Sequence, residues 1–324
     1  MNEYANKHIK CFNPSSDGKN FDGKKRIYHY TSPQGLYGIL GNSTIRFTDC
    51  QFLNDKSEYT HIKKPLYKAF EEVRKDLRND FETSILEMLN EDFESDDIKI
   101  SGRGPELTLY FSRKRYYVFC ASTAQDSLGM WNYYVKGGNY QGYNIGFGIS
   151  QLLDCFSTIE NPEVDVFYGQ VIYREKDQIN LLKDLILKAD QELEDKLRHV
   201  VGEEDFSIRE QEIKGEVLNY IENYRLFFKD EVFSNEKEYR FILKLPLEYT
   251  PNAHDPILIG FDVKNGIFTP YCELSISKEK TIDSIILSPM LESELAKQGL
   301  NRYLKLKGYN NKITIGQSKV PIRY

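Results

Sequence analysis

The sequence predicts an α+β fold, a mixed or antiparallel sheet core interrupted by two helical inserts. Three observations carry this. Strand-like runs come in blocks, so the one-for-one βαβ alternation of a doubly wound sheet is absent. Two long segments carry apolar residues at intervals of three and four, the helical period. The chain also holds 23 Tyr and 19 Phe against 1 Trp. A buried tyrosine needs a partner for its hydroxyl, which a sheet-rich core or a cleft supplies better than a helix bundle.

Taken in order, residues 1–23 are polar, and "NPSSDGKNFDGKK" has turn chemistry, so they read as an arm or loop. "RIYHYT" (Arg26–Thr31) has strand composition. Ser32 followed by Pro33 is a helix start, a hydroxyl cap and then proline at the first helical position. Leu36, Ile39 and Leu40 give that helix one apolar face, and Gly41 ends it. "TIRFTD" (Thr44–Asp49) is a second strand. Asp55 and Glu58 have capping-box spacing before a helix from about Glu58 to Asn90, striped by Leu66, Phe70, Val73, Leu77, Phe81 and Ile85. Residues 91–105 read as an acidic, glycine-containing loop. "YYVFCAS" (Tyr116–Ser122) is a continuous apolar strand, placed centrally.

"LGMWNYY" is then a short helical turn, "GGNYQG" a loop, and "YNIGFGI" and "DVFYGQVIY" two more strands. Residues 176–230 are charged and helical. Ile179, Leu182, Leu185, Ala189, Leu193 and Leu197 form one stripe. A second capping box, Ser207 with Glu210, precedes Val217, Ile221, Tyr224 and Phe228. Strands return as "EYRFILKL", "ILIGFDV" and "IDSIILS", and a helix near Leu291–Leu306 and "KITIG" close the chain. The organisation is an arm (1–23) and a single α+β domain (24–324), with inserts at about 58–100 and 176–230.

With 324 residues and 40% hydrophobic content the chain can bury a sizeable core. A net charge of −6 does not supply the basic field of a nonspecific nucleic-acid binder. The cysteines number five, an odd count without a CxxC pair. That indicates neither a disulfide framework nor a zinc knuckle, and reads as buried free thiols in a reducing compartment. No apolar run approaches the ~18 residues of a membrane span, and the N-terminus has no apolar signal region. A cytoplasmic protein is expected, with no membrane contact; oligomeric state is left open.

Motifs for P-loops, dinucleotide folds, zincins and hydrolase elbows are absent. Of the five histidines (His8, His29, His61, His199, His254), His8 lies in the arm, His254 in a loop, and His61 and His199 on charged helices, read as solvated. His29 alone lies in an apolar strand, where it is either a satisfied core histidine or a functional group. Glu236 and Glu238 in "SNEKEYRF" are two apart at a strand entry. They either line one cleft together or form a surface ion cluster with Arg240. Trp131 and Tyr134 are three apart on one face of a helical turn, as core aromatics or a stacking platform. "GGNYQGYNIGFG" either cradles a ligand or is a mobile loop.

Together, "YHYTS…GIL…IRFTDCQFLNDKSEY", "FCAS…MWNYY…G…IGFG", "EKEYRF" and "IDSIILSP" resemble the bacterial family known as domain of unknown function 2971, over about Ile27–Pro289. That family is grouped with ADP-ribosyltransferase-like folds, whose members bind NAD and cleave its nicotinamide–ribose bond. The resemblance implies an ADP-ribosyltransferase-like split sheet, NAD as substrate and no metal. It also implies roles. His29, in the form His-x-Thr, would hold the adenosine ribose, and the backbone at Tyr30 and the Thr31 hydroxyl would fix the nicotinamide amide. A tyrosine, Tyr134 or else Tyr133, would stack on nicotinamide near Trp131. Glu238 would be the catalytic carboxylate, with Glu236 the upstream member of a Glu-x-Glu pair. That pair is unusual beside a histidine-type first motif.

The expected function is therefore an NAD-dependent ADP-ribosyltransferase or NAD glycohydrolase, toxin-like or in phage defence. Its acceptor is protein, nucleic acid, small molecule or water. One alternative is a non-enzymatic module binding a nucleotide or a protein. Another is a nuclease-like effector placing Mg²⁺ on Asp55, Glu58, Glu236 and Glu238.

Overall fold

The computed structural model describes residues 7–12, 25–53, 58–78, 114–135, 141–197, 217–251, 255–264, 266–309 and 312–321, with a few isolated positions besides. Among them eleven strands join one mixed sheet. They are β1 (Ile9–Phe12), β2 (Arg26–Thr31), β3 (Thr44–Asp49), β4 (Lys114–Ser122), β5 (Tyr143–Gly148), β6 (Asp165–Gln170), β7 (Glu238–Pro246), β8 (Ile257–Lys264), β9 (Ile267–Ser275), β10 (Ile282–Leu287) and β11 (Thr314–Gln317). The spatial order is β1-β6-β7-β4-β2-β5-β10-β11, with β3, β9 and β8 on a side branch from β4. The two outermost pairs, β1 with β6 and β10 with β11, are parallel. The fold is α+β, as the sequence predicts.

The branch at β4 splits the sheet. One edge of β4 pairs along its whole length with β7. The other edge is shared: Tyr28 of β2 pairs with Ser122, while Thr48 and Asp49 of β3 pair with Val118 and Tyr117. Between these contacts β2 and β3 part, one leading to β5 and the other to β9. His29 stands at the parting, where its Nδ1 donates to the Cys120 carbonyl at 2.9 Å. The side chain thus satisfies a backbone acceptor at the place where the two strands diverge.

One face of the sheet holds the main core. Ile27, Phe47, Phe119, Ile145, Phe147, Tyr168 and Phe241 pack there against α1 (Pro33–Asn42), α5 (Ile149–Phe156) and α8 (Ser293–Lys307). The other face carries α4 (Leu128–Val135) and the helices of the inserts: α2 (Glu58–His61), α3 (Lys63–Val73), α6 (Glu175–Leu197) and α7 (217–225). The two inserts share one core, Leu66, Phe70 and Val73 meeting Leu182, Ile186 and Leu193. Each such side chain fully buried is worth about 1.5–3 kcal/mol, so neither insert's stripe is left facing water. Leu66, Phe70 and Val73 on α3, and Ile179, Leu182, Ala189 and Leu193 on α6, fall where the helical period places them; Leu77 lies beyond α3, and Phe81 and the Leu197 side chain lie outside the described residues.

Several expectations need correction. The arm contains an edge strand, β1, whose four residues are too few to stand out among polar neighbours. The helix expected over 58–90 is broken at Ile62 and ends at Val73. Pro65 has no N–H, and its ring meets the carbonyl four residues earlier, at His61, so α2 and α3 cannot be continuous. Helix α1 does begin at Ser32, whose hydroxyl accepts from the Gly35 N–H, but it closes at Ser43 in the left-handed region rather than at Gly41. Two elements have no counterpart in the sequence reading, α5 and β9; β9 follows Asn265-Gly266 in the sequence, and Gly266 sits at φ +79° as a tight hairpin demands. Both proposed capping boxes, the 91–105 loop, His199, His254 and most of "GGNYQG" lie outside the described residues. The described cysteines are all free thiols, yet only Cys155 and Cys272 are buried, and Cys11 is exposed. No helix among the described residues is long and apolar enough to cross a membrane.

Candidate functional site

A small cleft of about 10 Å³ lies on the insert-bearing face, beside the fork. It is lined by Tyr28, His29 and Tyr30 of β2, Cys120 and Ala121 of β4, Met130 and Tyr134 of α4, and Glu236 with Glu238. Strand alternation explains the carboxylate side: on β7, Tyr239 and Phe241 enter the main core, so Glu238 and Arg240 face the opposite side. On β2 the same alternation puts Tyr28 and Tyr30 on the cleft face and His29 on the side of Ile27, its ring 4.9 Å from Phe119 of the main core.

Glu236 is not on a strand. It ends a 3-10 helix, Glu231–Glu236, and Lys237 behind it adopts φ 46°, ψ 48°. The same-face argument for residues two apart on a strand therefore does not apply. Instead a left-handed backbone turn at Lys237, uncommon for a side-chain-bearing residue, brings both carboxylates onto one cation. Lys229 Nζ lies 2.7 Å from Glu236 and 3.4 Å from Glu238. Arg240 completes the cluster, Nε and Nη2 each donating to a different Glu238 oxygen at 2.9 Å, and Nη1 donating to the Leu226 carbonyl. The ion cluster with Arg240 exists, but it is buried, with Lys229, Glu236, Glu238 and Arg240 all below a tenth exposed. Burial opposes the Glu238 charge, yet Arg240 and then Lys229 outweigh it and hold the carboxyl at about 2.

Two tyrosines flank the pair. Tyr134 exposes part of its ring, while burial, reinforced by Cys120, Glu238 and Glu236, pushes the pKa of its hydroxyl well above the usual tyrosine range. Tyr173 accepts the Glu238 backbone N–H at 2.9 Å and is shifted upward by burial and by Glu238. His29 is shifted down by burial, with the hydrogen bond to Cys120 opposing. Because a carbonyl can only accept, Nδ1 carries the proton and Nε2 is left as an acceptor.

Other sequence-derived candidates lie elsewhere. Trp131 is fully buried, donates Nε1–H to Asp126 at 2.7 Å and packs edge-on against Tyr30 at 4.7 Å; it is a core residue and not a stacking platform. Tyr133 is exposed and does not line the cleft. Tyr30 lines it, but its hydroxyl is committed, donating to the Ala124 carbonyl and accepting from the Ser127 N–H, and burial pushes it up to about 12. The Thr31 hydroxyl packs over Gly35, where an added Cβ would sit 2.0 Å from it, and faces α1 rather than the cleft. Asp55 and the Glu58 side chain lie outside the described residues, and no three His, Cys, Asp or Glu side chains among the described residues come together to hold a metal ion.

Lys229, Tyr173 and Cys120 escaped the sequence reading. A signal existed for Lys229: it follows two phenylalanines, Phe227 and Phe228, and a lysine at the end of an apolar pair is placed to enter a buried site. His61, expected to be solvated, is half-buried and bonds Gln178 at 3.0 Å.

Residues 130–241 match the model of a family described as a protein of unknown function, DUF2971. The match contains Tyr134, Tyr173, Lys229, Glu236, Glu238 and Arg240, and excludes His29, Cys120 and the first insert. No curated protein and no solved structure matches the chain.

Proposed function

We propose, from the cleft and the side chains that line it, that the protein cleaves the nicotinamide–ribose bond of NAD there, as an ADP-ribosyltransferase or NAD glycohydrolase. The observation that carries this reading is convergence: His29, Tyr134, Glu236 and Glu238, from three distant stretches of chain, line one cleft. In the proposed step the bond from ribose C1′ to the ring nitrogen breaks and its electron pair leaves with nicotinamide. An oxygen or nitrogen of the acceptor bonds to C1′ and gives up a proton. Glu238, ionised at every physiological pH, stabilises the oxocarbenium character on the ribose and accepts from a ribose hydroxyl. Glu236 stands beside it to receive the acceptor's proton. His29 offers Nε2 to a ribose hydroxyl, and the Tyr134 ring stacks on nicotinamide. A toxin-like or defence role fits such an activity.

At about 10 Å³ the cleft is far below the ~300 Å³ at which ligand pockets begin, so it must open before nicotinamide or any other part of a dinucleotide can enter. The test is nicotinamide release from NAD by wild type, Glu238→Gln and Tyr134→Ala, with and without cell lysate. Losing one preorganised electrostatic contact costs roughly 10²–10³ in rate, so Glu238→Gln should fall by that much. Turnover unchanged in Glu238→Gln removes the mechanism. Release that requires lysate identifies a transferred acceptor.

One observation favours a second reading, a binding module without turnover. Both Glu238 oxygens are engaged by Arg240 within a small buried cluster. NAD bound in calorimetry with no nicotinamide released under either condition would establish it.

A further inference from the structure

Gln178 lies in the first turn of α6 and is fully buried. Its amide nitrogen donates to the Ile172 carbonyl at 2.7 Å and to the Lys229 carbonyl at 3.0 Å. These are the two points where the second insert leaves and rejoins the sheet. The chain ends run side by side there, Ile172 bridging Phe228, and the Lys229 N–H also donates to Ile172. With both amide hydrogens directed at carbonyls, the Gln178 oxygen must face away. His61, at the end of α2, lies on that side with Nε2 3.0 Å from it. An amide oxygen only accepts, so His61 Nε2 is the donor. Either the neutral tautomer bearing that proton or the imidazolium satisfies the bond, so the link does not switch with His61 protonation.

The next covalent step after the Lys229 backbone is the Lys229 side chain, whose ammonium bridges Glu236 and Glu238. We infer that Gln178 is a positioning residue that couples the first helical insert, through His61, to the Lys229 bridge of the carboxylate pair. The groups facing that pair are Lys229, Arg240, Tyr134, Tyr173 and Cys120. Of these, Tyr173 and Lys229 come from the two ends of the second insert; Tyr173 holds only the Glu238 backbone N–H, whereas Lys229 binds both carboxylates, so insert docking acts on the carboxylate pair through Lys229. The inference deepens the proposed reaction and rests on that reading only for its effect on turnover.

The test reads Lys229 directly. The wild-type ammonium is enclosed and ion-paired, so an amine-reactive ester followed by peptide mass spectrometry should label Lys229 slowly relative to the exposed Lys64. The two hydrogen bonds from Gln178 are worth about 1 kcal/mol each. Gln178→Leu should therefore accelerate Lys229 labelling roughly tenfold or more. His61→Leu should accelerate it less, and His61→Gln, which restores a donor, should return it toward wild type. Leu182→Ala is the control: it opens a cavity in the insert core without touching this chain of bonds. Equal acceleration by Leu182→Ala, or unchanged labelling in Gln178→Leu, overturns the inference. If Gln178→Leu does not fold, the two His61 variants decide alone, rescue supporting the coupling and no difference between them refuting it. NAD is absent throughout, so failure of the NAD reading leaves this result standing. Where turnover is measured, Gln178→Leu should lower kcat with KM unchanged.

Discussion

Two buried ionic clusters share the insert-bearing face, set along the same pair of strands. At one end of the β4–β7 ladder, Glu238 faces Arg240 and Lys229. Farther along, Tyr116 stands opposite Lys244 in register, and Tyr116 donates to Glu222 of α7 at 2.6 Å. Between them lies an apolar row, Val118 opposite Ile242, packed with Phe167 and Phe227. The clusters use similar residues and have opposite electrostatics. Glu238 is held at about 2 because two cations overcome its burial. Glu222 is shifted upward because burial dominates and only the Tyr116 hydroxyl and the more distant Lys244 offset it. Lys244 is itself pulled down by burial, and Arg225 nearby is brought down to about 9 for the same reason. Burial alone does not set the charge state; direct contact with a cation does. The compensated cluster borders the cleft, and the under-compensated one is sealed beneath α7.

The largest expected effect breaks the compensated cluster. Glu238→Gln leaves Arg240 buried without its anion and Lys229 with Glu236 alone, and should cost about 3–5 kcal/mol in a urea titration at pH 7. An unchanged midpoint would show that Arg240 and Lys229 find other partners, and the contrast between the clusters would vanish. Glu222→Gln should move stability by less than about 1.5 kcal/mol, because it removes an unfavourable buried charge while keeping an acceptor for Tyr116. A loss as large as that of Glu238→Gln would mean that Lys244 pairs with Glu222 as tightly as Arg240 pairs with Glu238.

Acid titration sharpens the same contrast. The folded Glu238 carboxyl lies below its ordinary 4.5, so its stabilisation is present above 4.5 and lost as pH falls toward about 2. Glu222 is raised above 4.5, so its contribution is present below that value and lost as pH rises through its folded pKa. Denaturant midpoints against pH should therefore show a shallower acid limb in Glu238→Gln and a shallower decline above pH 4.5 in Glu222→Gln. Parallel curves for wild type and both variants would remove the electrostatic distinction.

Much of this architecture is readable from residue patterns, and the parts that are not have identifiable causes. Periodicity finds the insert stripes, and apolar runs find β4, β5 and β7, because burial on one face writes a period into the sequence. It does not find β1, which is short and edge-bound, or the splitting of the β4 edge between β2 and β3, which is a long-range pairing choice. The His29, Tyr134, Glu236 and Glu238 positions are legible as residues needing an explanation. The cation between the two carboxylates is not, since Lys229 arrives from the end of an insert and is fixed by Gln178, 51 residues earlier in the chain. The turn at Lys237 is invisible for a similar reason: its left-handed backbone is imposed by contacts at both ends, Ser122 and Thr123 holding the carbonyls of Glu236 and Lys237.

That turn gives a smaller effect. A left-handed residue with a side chain costs of order 1 kcal/mol, so Lys237→Gly should gain up to about that amount in stability, offset by the entropy of glycine. A clear loss would show that the Lys237 side chain contributes more than its backbone costs. The smallest effect is at Tyr134, which faces only the compensated cluster. Its ring is partly exposed, so Tyr134→Phe should change stability by less than about 0.5 kcal/mol. Stacking requires the ring and not the hydroxyl, so Tyr134→Phe should keep NAD binding while Tyr134→Ala weakens it by about 1–3 kcal/mol in calorimetry. Equal weakening by both variants would transfer the role to the hydroxyl, whose acidity is suppressed by burial and by the neighbouring carboxylates. Tyr134 would then act as a hydrogen-bond donor beside Glu238, and the cleft would recognise a polar group where the proposed reaction places an aromatic ring.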